Sequence, residues 1–172
     1  MAYSATLIRG VQSSLRRGLA FLECQEDGFL DARQVFDGLK ARWNERLCNQ
    51  FDYWLGGGVF DKYFHGWRTL LEYKECFAFK WKDAGTYHRL YGFLINPRPD
   101  SDPRFQVCVL VCHDRKNDES TDFTILNKIN RLRVREEVIQ AVRNLFQTTE
   151  RGTRGASNPT FGAGASLDRR KR

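Results

Sequence analysis

The spacing of hydrophobic and polar positions changes along the chain, and each change predicts a different kind of element. Apolar residues recur every three or four positions over residues 7–22 and again over residues 35–54. This spacing predicts N-terminal helices over about residues 4–55. The turn "QEDGF" separates the two stretches, Asp31 is placed to cap the second helix, and "GGG" at residues 56–58 ends it.

From about residue 70 the period becomes two, which predicts strands. The segment "LEYKECFAFKWK" has one aromatic face and one mixed, basic face that carries Lys74, Lys80 and Lys82. After the turn "DAG", "YHRLYGFLINP" forms a second strand, and "RFQVCVLVCH" is so apolar that it belongs at the centre of the sheet. The sheet is expected over about residues 70–113.

Helical spacing returns over about residues 121–147, as one bent helix or a helix pair. The order predicts an α+β fold: N-terminal helices, a small antiparallel β-sheet and a C-terminal helix or helix pair. With 172 residues, of which 41% are hydrophobic, the chain fits a single domain over residues 1–150.

The net charge of +7 is concentrated at one end. Residues 151–172 hold six Arg/Lys against one Asp, which is +5 of the total. Their Gly, Ser and Thr content predicts a flexible basic tail, either an arm that holds nucleic-acid phosphates or a merely solubilising end. The cations that would bind nucleic acid in the first case are Arg169, Arg170, Lys171 and Arg172.

Several classes of protein are excluded or disfavoured by the sequence. The apolar stretches are too short for a membrane helix, which favours a cytoplasmic protein with no membrane partner. Five cysteines without a CxxC pair indicate reduced thiols, and Cys108, Cys112 and His113 are better explained by packing than by a metal. No phosphate-binding loop, HExxH motif, nucleophile elbow or carboxylate pair is present, so we expect no metal and no cofactor.

An arginine in the second strand is the main candidate for chemistry. Alternation places Arg89 on one face with Tyr87 and Tyr91. A guanidinium between aromatic rings can stack on a base or bind a phosphate. The alternative is an arginine whose stem covers apolar surface while its head reaches solvent or a carboxylate such as Glu75. A metal-free nucleic-acid enzyme would use the ribose 2′-OH as nucleophile, with side chains as base, acid and phosphate clamp.

Three consecutive segments carry a resemblance to a known family: "KECFAFKWKDAGTYHRLYGFLINP", "RFQVCVLVCHDRKN" and "TDFTILNKINRLRVREEVIQAV". This series resembles the RelE/ParE toxin superfamily, and most of all its HigB-like, phage-derived branch, over about residues 70–147. The resemblance implies a metal-independent endoribonuclease that inhibits translation by cleaving mRNA, usually on the ribosome. It also implies a cognate antitoxin protein as partner.

The resemblance also implies roles for individual residues. Arg89 matches the family's phosphate-contacting arginine, and Tyr91 matches the aromatic residue two positions later. Arg115 and Lys116 match the basic turn that stabilises charge or donates a proton, and His113 is a candidate base. Apart from the resemblance, the basic face of the first strand offers Lys74, Lys80 and Lys82 as nucleic-acid contacts.

Other interpretations remain open at this stage. The chain has no tyrosine after Tyr91, whereas several family members have one near the C-terminus, and Asp114 dilutes the positive turn. A non-catalytic module of phage or mobile-element origin, which binds nucleic acid or a host protein through the same surface, is therefore the alternative. A third interpretation is a structural protein that associates through "FDYWLGGGVFDKYFHGW". The oligomeric state is not predicted.

Overall fold

The computed structural model describes the backbone of residues 2–59 and 62–154 and the side chains through residue 147. Within this part the chain forms six strands, four α-helices and one 3-10 helix. In chain order they are β1 Ser4–Leu7, β2 Arg17–Glu23, α1 Ala32–Asp37, α2 Ala41–Leu55, β3 Phe64–Gly66, the 3-10 helix Leu71–Tyr73, β4 Cys76–Asp83, β5 Thr86–Arg98, β6 Phe105–Lys116, α3 Phe123–Arg133 and α4 Glu136–Arg154.

The strands form one sheet in the order β1-β2-β6-β5-β4-β3. Strands β2 and β6 run parallel, and the other four neighbouring pairs are antiparallel. One core packs α1 and α2 against the sheet, and a second packs α3 and α4 against its opposite side. We call these sides the α1/α2 face and the α3/α4 face. The α+β class is confirmed, but the sheet is larger than predicted and is not wholly antiparallel.

The predicted first helix over residues 7–22 is wrong, because this stretch contains the end of β1 and most of β2. In β2 the residues alternate between the two cores: Leu19 and Phe21 pack on the α1/α2 face, and Ala20 and Leu22 on the α3/α4 face. A strand buried on both sides is a continuous apolar run, and its period cannot distinguish it from a buried helix.

The predicted second helix is interrupted rather than continuous. Helix α1 ends at Asp37, Gly38 is its C-cap, and α2 begins at Ala41 and ends before Gly56. Asp31 occupies the N-cap position of α1 but does not cap it through its side chain. Its carboxylate instead accepts a 2.7 Å hydrogen bond from the backbone N–H of His113 in β6, which ties the start of α1 to the sheet.

The β4–β5 hairpin closes where the sequence predicted a turn. Asp83 pairs with Thr86, and the two loop residues Ala84 and Gly85 both have positive φ angles of 46° and 89°. Two positive φ values are typical of a type I′ turn, whose twist suits an antiparallel pair. The predicted aromatic face of β4 is confirmed, since Phe77, Phe79 and Trp81 all belong to the α1/α2 core. The central position of β6 is also confirmed.

A β-bulge interrupts β6 where it pairs with β5. Tyr91 is opposite Cys112, but the next residue, Gly92, is opposite Leu110, so Val111 has no partner across the pair. Val111 and Cys112 both pack into the α3/α4 core. One extra residue reverses the alternation of every side chain that follows it. The bulge therefore decides which face each residue of the basic turn after β6 occupies.

The C-terminal helix pair is confirmed as α3 and α4, and Asp122 caps α3 by accepting a 2.8 Å hydrogen bond from the Thr124 N–H. Helix α4 continues to Arg154, so residues 151–154 of the predicted tail are helical. Residues 155–172, with Arg169 to Arg172, lie outside the described residues. Among the helices described, none has the length and hydropathy needed to cross a membrane.

Candidate nucleic-acid interface

A cavity of about 410 Å³ opens beside β3, β4 and β5 and reaches the loop before α3. Pockets of this size hold small ligands or one or two units of a polymer. Five basic side chains line the cavity. Arg46 comes from α2, Lys62 from the segment that precedes β3, Lys80 and Lys82 from β4, and Arg89 from β5. The lining residues with rings are Tyr63, His65, Trp67, Trp81 and Tyr87, and Glu119 is the one carboxylate among the lining residues.

Strand pairing arranges the cavity floor in rows across the sheet. Ala78 of β4 lies between His65 of β3 and Tyr91 of β5. In the next row, Lys80 pairs with Arg89, and Arg89 pairs with Asp114 of β6. Cross-strand partners project from the same face. Because Ala78 carries only a methyl group, the first row leaves open space beside the cations of the second.

The third row lies at the hairpin end, where Tyr87 has Lys82 on one side and Lys116 on the other. The Lys82 ammonium donates a 2.9 Å hydrogen bond to the Tyr87 hydroxyl and lies 4.2 Å from the centre of its ring. The cavity floor is therefore basic at two successive rows, at Lys80 with Arg89 and at Lys82 beside Tyr87.

The backbone of Lys80 is fixed from outside the sheet ladder. Its N–H donates to the Tyr63 carbonyl at 2.8 Å, and its carbonyl accepts from the Gln50 side-chain amide of α2 at 3.0 Å. These contacts hold β4 in register beyond the end of β3, where it would otherwise be an unpaired edge.

Arg89 is a buried arginine, with 8% of its surface exposed. Its guanidinium donates to the Tyr91 hydroxyl at 3.0 Å, to the Ser120 carbonyl at 2.6 Å and to the Glu119 carbonyl at 2.5 Å. Buried polar groups need such partners, and charged donors form the stronger hydrogen bonds. Arg89 thus anchors the loop before α3 to β5. The alternative interpretation of the sequence is an arginine whose head reaches solvent or the Glu75 carboxylate. These contacts differ from that interpretation, because the guanidinium is buried and bonded to Tyr91 and to two backbone carbonyls.

Lys116 meets Arg89 at the same loop. Its ammonium donates to the Ser120 carbonyl at 3.3 Å and lies 3.7 Å from the Asp114 carboxylate. The structure therefore brings Arg89, Tyr91 and Lys116 together on the α3/α4 face. Asp114 lies beside them, so a negative charge accompanies the two cations.

Tyr91 is fully buried and stacks against Trp67, with ring centres 5.9 Å apart. Burial raises the pKa of the Tyr91 hydroxyl, and the hydrogen bond from Arg89 opposes that rise. A phenol with no exposed surface and a raised pKa is better suited to packing than to proton transfer with a polymer substrate.

The remaining two candidates for catalysis, His113 and Arg115, lie on the opposite face. His113 packs beside Trp81, whose ring centre is 5.6 Å from its own, and Arg115 pairs with His88 across β5 and β6. The bulge at Val111 explains this placement, since without it these two side chains would have shared a face with Arg89. The five residues therefore do not form one constellation.

His88 and His113 are hydrogen-bonded to each other, with 3.0 Å between Nδ1 of His88 and Nε2 of His113. Burial is the main cause that lowers the pKa of each imidazole. Arg115 lowers the pKa of His88 further, and the neighbouring His88 does the same for His113. Both rings are therefore held in their neutral form at neutral pH.

The predicted nucleic-acid contacts divide in the same way. Lys80 and Lys82 both line the cavity, which agrees with their predicted position on one face of β4. Lys74 does not lie in β4: it follows the 3-10 helix with helical backbone angles and is not among the lining residues. Its inclusion in that face was wrong, because the strand begins only at Cys76.

Sequence reasoning missed His65, Trp67, Lys62 and Arg46 as cavity residues. Three of them belong to the aromatic segment "FDYWLGGGVFDKYFHGW", which we interpreted from the sequence only as an association surface and which contains β3, a strand of three residues. So short a strand leaves no period-two pattern to detect. Arg46 is on α2, and only the packing of α2 against the sheet brings it to the cavity.

The described residues contain no group of three or more side chains suited to hold a metal ion. Cys108 packs in the α1/α2 core and Cys112 in the α3/α4 core, so the two thiols face opposite sides of the sheet and cannot share one ion. Burial raises the pKa of both. The packing interpretation of these cysteines is the one that fits.

Comparison of the chain with family models, curated proteins and solved structures finds no match. The resemblance to the RelE/ParE superfamily therefore rests on the sequence motifs alone.

Proposed function

We propose that this protein is a nucleic-acid-binding module that holds RNA phosphates in the cavity beside β4 and β5. The observation that carries the proposal is the lining of that cavity: five Lys/Arg side chains and five rings against one carboxylate. Cations that track a phosphate backbone, combined with rings on which bases stack, are the usual means of holding single-stranded RNA.

Two features favour binding over catalysis. Tyr91 has no exposed surface, and the Arg89 guanidinium is already bonded to two backbone carbonyls. His113 and Arg115, which the sequence motifs suggest for proton transfer and charge stabilisation, are separated from Arg89 by the sheet. The non-catalytic interpretation of the phage-derived family resemblance is therefore our first proposal.

The toxin-type endoribonuclease remains the second candidate. It is favoured by the convergence of Arg89 and Lys116 at the Ser120 carbonyl, with the Tyr91 hydroxyl accepting a hydrogen bond from Arg89, since these residue types suit metal-free phosphodiester cleavage. Inhibition of translation and a cognate antitoxin partner belong to this candidate, whereas RNA as the ligand is common to both.

Fluorescence anisotropy with a labelled, unstructured RNA tests the first proposal. We expect Lys80→Glu with Lys82→Glu to weaken binding at least about tenfold and to flatten the dependence of affinity on salt. Lys40→Glu with Lys74→Glu is the matched control, because it makes the same change in net charge at two exposed lysines outside the cavity. Equal losses in the two proteins would mean that net charge, and not the cavity, drives binding.

The same mixtures decide between the two candidates when the RNA is recovered on a denaturing gel. The binding proposal expects intact RNA in the presence of EDTA, with and without ribosomes. New ends made by the wild-type protein would establish the nuclease instead. Lys116→Ala is the variant to compare, because Arg89→Ala would also release the loop before α3.

A further inference from the structure

We infer that the cavity binds two consecutive phosphates of one RNA strand, the first at Lys80, next to the positive charge of the buried Arg89, and the second at Lys82 and Tyr87, with a base beside His65 at the other end. This inference rests on the proposed RNA-binding function and specifies the ligand that the site selects. It follows from how the rows of the sheet are ordered.

Lys80 and Lys82 are two residues apart on β4 and project from the same face. Two residues of an antiparallel strand span about 6.8 Å. Each lysine has its own cross-strand neighbour on β5, which is Arg89 for Lys80 and Tyr87 for Lys82. The two cationic positions are therefore separate sites along one line, rather than one cluster around a single anion.

The line follows β4 because Asp114 blocks the neighbouring side. Asp114 is the cross-strand partner of Arg89 on β6, and its side chain is 18% exposed. A carboxylate at this position repels phosphate from β6 and leaves β4 and the end of β3 as the favourable path. Lys62 and Arg46 extend the positive charge at the outer side of that path.

The line also has two different ends. Beyond Lys80, towards the start of β4, the floor is the methyl group of Ala78, with His65 beside it on β3. The His65 ring lies edge-on to Trp67, with ring centres 4.8 Å apart. Trp67 is itself fixed by a 3.4 Å hydrogen bond to the Thr121 hydroxyl. Trp67 is buried and His65 is half-buried, so the ring of this rigid corner that a single unpaired base can reach is that of His65.

The spacing selects among phosphate compounds. Two phosphates joined through a ribose can reach positions about two strand residues apart. The two phosphates of a nucleoside diphosphate share one bridging oxygen and lie too close together to occupy both positions. Consecutive phosphates of a polynucleotide chain therefore fit the site better than a free nucleotide does.

Calorimetric titration of the full-length chain with four probes tests this inference: 5′-phosphorylated uridylyl-uridine, the same dinucleotide without its 5′-phosphate, uridine diphosphate and inorganic phosphate. We expect the phosphorylated dinucleotide to bind about tenfold more tightly than each of the others. Lys82→Ala should reduce its affinity to that of the unphosphorylated dinucleotide, whose own affinity should not change. Lys82 is exposed, so this variant should fold, and Lys74→Ala is its control.

The inference is overturned if uridine diphosphate binds as tightly as the phosphorylated dinucleotide, or if Lys82→Ala weakens both dinucleotides equally. A third outcome would overturn this inference but leave the RNA-binding proposal intact. In that outcome a long RNA binds through Lys80 and Lys82, while the two dinucleotides have the same affinity. Failure of the long RNA to bind at all would reject both proposals.

Discussion

His88 and His113 share a hydrogen bond between neighbouring strands, with Nδ1 of the first 3.0 Å from Nε2 of the second. Such a contact needs one nitrogen to donate and the other to accept, so the pair is stable only while at least one ring is neutral. Trp81 covers both rings, Arg115 lies near them, and the carboxylates of Asp31, Asp83 and Asp114 oppose the lowering of their pKa values.

We predict that this pair makes the protein lose stability in mild acid. Both imidazoles have a pKa below the ordinary value of about 6.5, so the unfolded chain binds more protons than the folded one between the two values. The contribution of the pair to the free energy of unfolding should then be at its maximum above about pH 6.5. It should fall as the pH drops from there through the lowered pKa values.

Urea denaturation at pH 5.0 to 7.5 measures this effect. In the variant with His88→Gln and His113→Gln, most of the pH dependence in this range should disappear, with His65 as the remaining histidine. A stability curve that is equally steep in that variant would show that other groups cause it.

We predict that Arg89 contributes more to stability than to ligand affinity. Arg89→Met leaves the Ser120 and Glu119 carbonyls without the donor on which the loop before α3 depends, and it should cost about 2–4 kcal/mol. Amide hydrogens of residues 117–122 should exchange faster with solvent.

Arg104→Met is the control for this change. Arg104 is exposed in the loop before β6, and its replacement should alter stability by less than about 0.5 kcal/mol. Unchanged amide exchange in residues 117–122 of Arg89→Met would contradict the anchoring role.

The second half of the fold was predictable because its signals are local. The "DAG" turn, the alternation of β4 and β5 and the apolar run of β6 each specify an element within about ten residues. Strand β2 was not predictable in this way. It is buried on both sides because it pairs with β6, about 90 residues later in the chain, and no local pattern carries that information.

The candidate site was only half predictable, for a related reason. Alternation correctly placed Lys80 and Lys82 together on β4, and Arg89 with Tyr87 and Tyr91 on β5, whereas the family resemblance grouped His113 and Arg115 with Arg89. The single unpaired residue Val111 moves the side chains of His113 and Arg115 to the other face of the sheet. A bulge between apolar residues cannot be detected in the hydrophobic pattern of the sequence. Gly92, opposite the bulge, is the one local sign of it.

We predict that Gly92 is required for the bulge. A Cβ atom there would lie 2.2 Å from the Val109 carbonyl oxygen, and a backbone atom cannot move aside as a flexible side chain can. Gly92→Ala should lower the free energy of unfolding by about 1–3 kcal/mol. It should also disturb the basic turn after β6.

Gly66→Ala provides the matched control, because Gly66 and Gly92 flank Phe77 on its two sides. The nearest atom to a Cβ at Gly66 is 3.6 Å away, which is ordinary contact. Equal destabilisation by the two substitutions in chemical denaturation would show that close approach at Val109 is not the cause.

Thiol accessibility should separate the five cysteines. Cys24 and Cys48 are half-buried, whereas Cys76, Cys108 and Cys112 are buried. Burial raises the pKa of Cys76 to about 11 and also raises that of Cys108 and Cys112. We expect a thiol reagent to label two cysteines in the native protein and five in denaturant. Rapid labelling of Cys108 or Cys112 without denaturant would contradict their placement in the two cores.

Asp114 should limit how tightly the cavity binds RNA. It is the cross-strand partner of Arg89 and lies 3.7 Å from the Lys116 ammonium, so its charge offsets the positive potential on the α3/α4 face. Replacing it by asparagine preserves its size and removes that charge. Affinity for the labelled RNA should rise about two- to fivefold at low salt and less at high salt, because added ions screen the interaction.

The control for Asp114→Asn is Asp83→Asn, which makes the same change in net charge. Asp83 pairs with Arg42 at 3.2 Å, and its position two residues after Trp81 in β4 places it on the α1/α2 face. If the rows of the α3/α4 face bind RNA, only Asp114→Asn should raise the affinity. An equal rise in both variants would mean that net charge governs binding, and a fall in Asp114→Asn would mean that the carboxylate is needed to hold Lys116 and Arg89 in place.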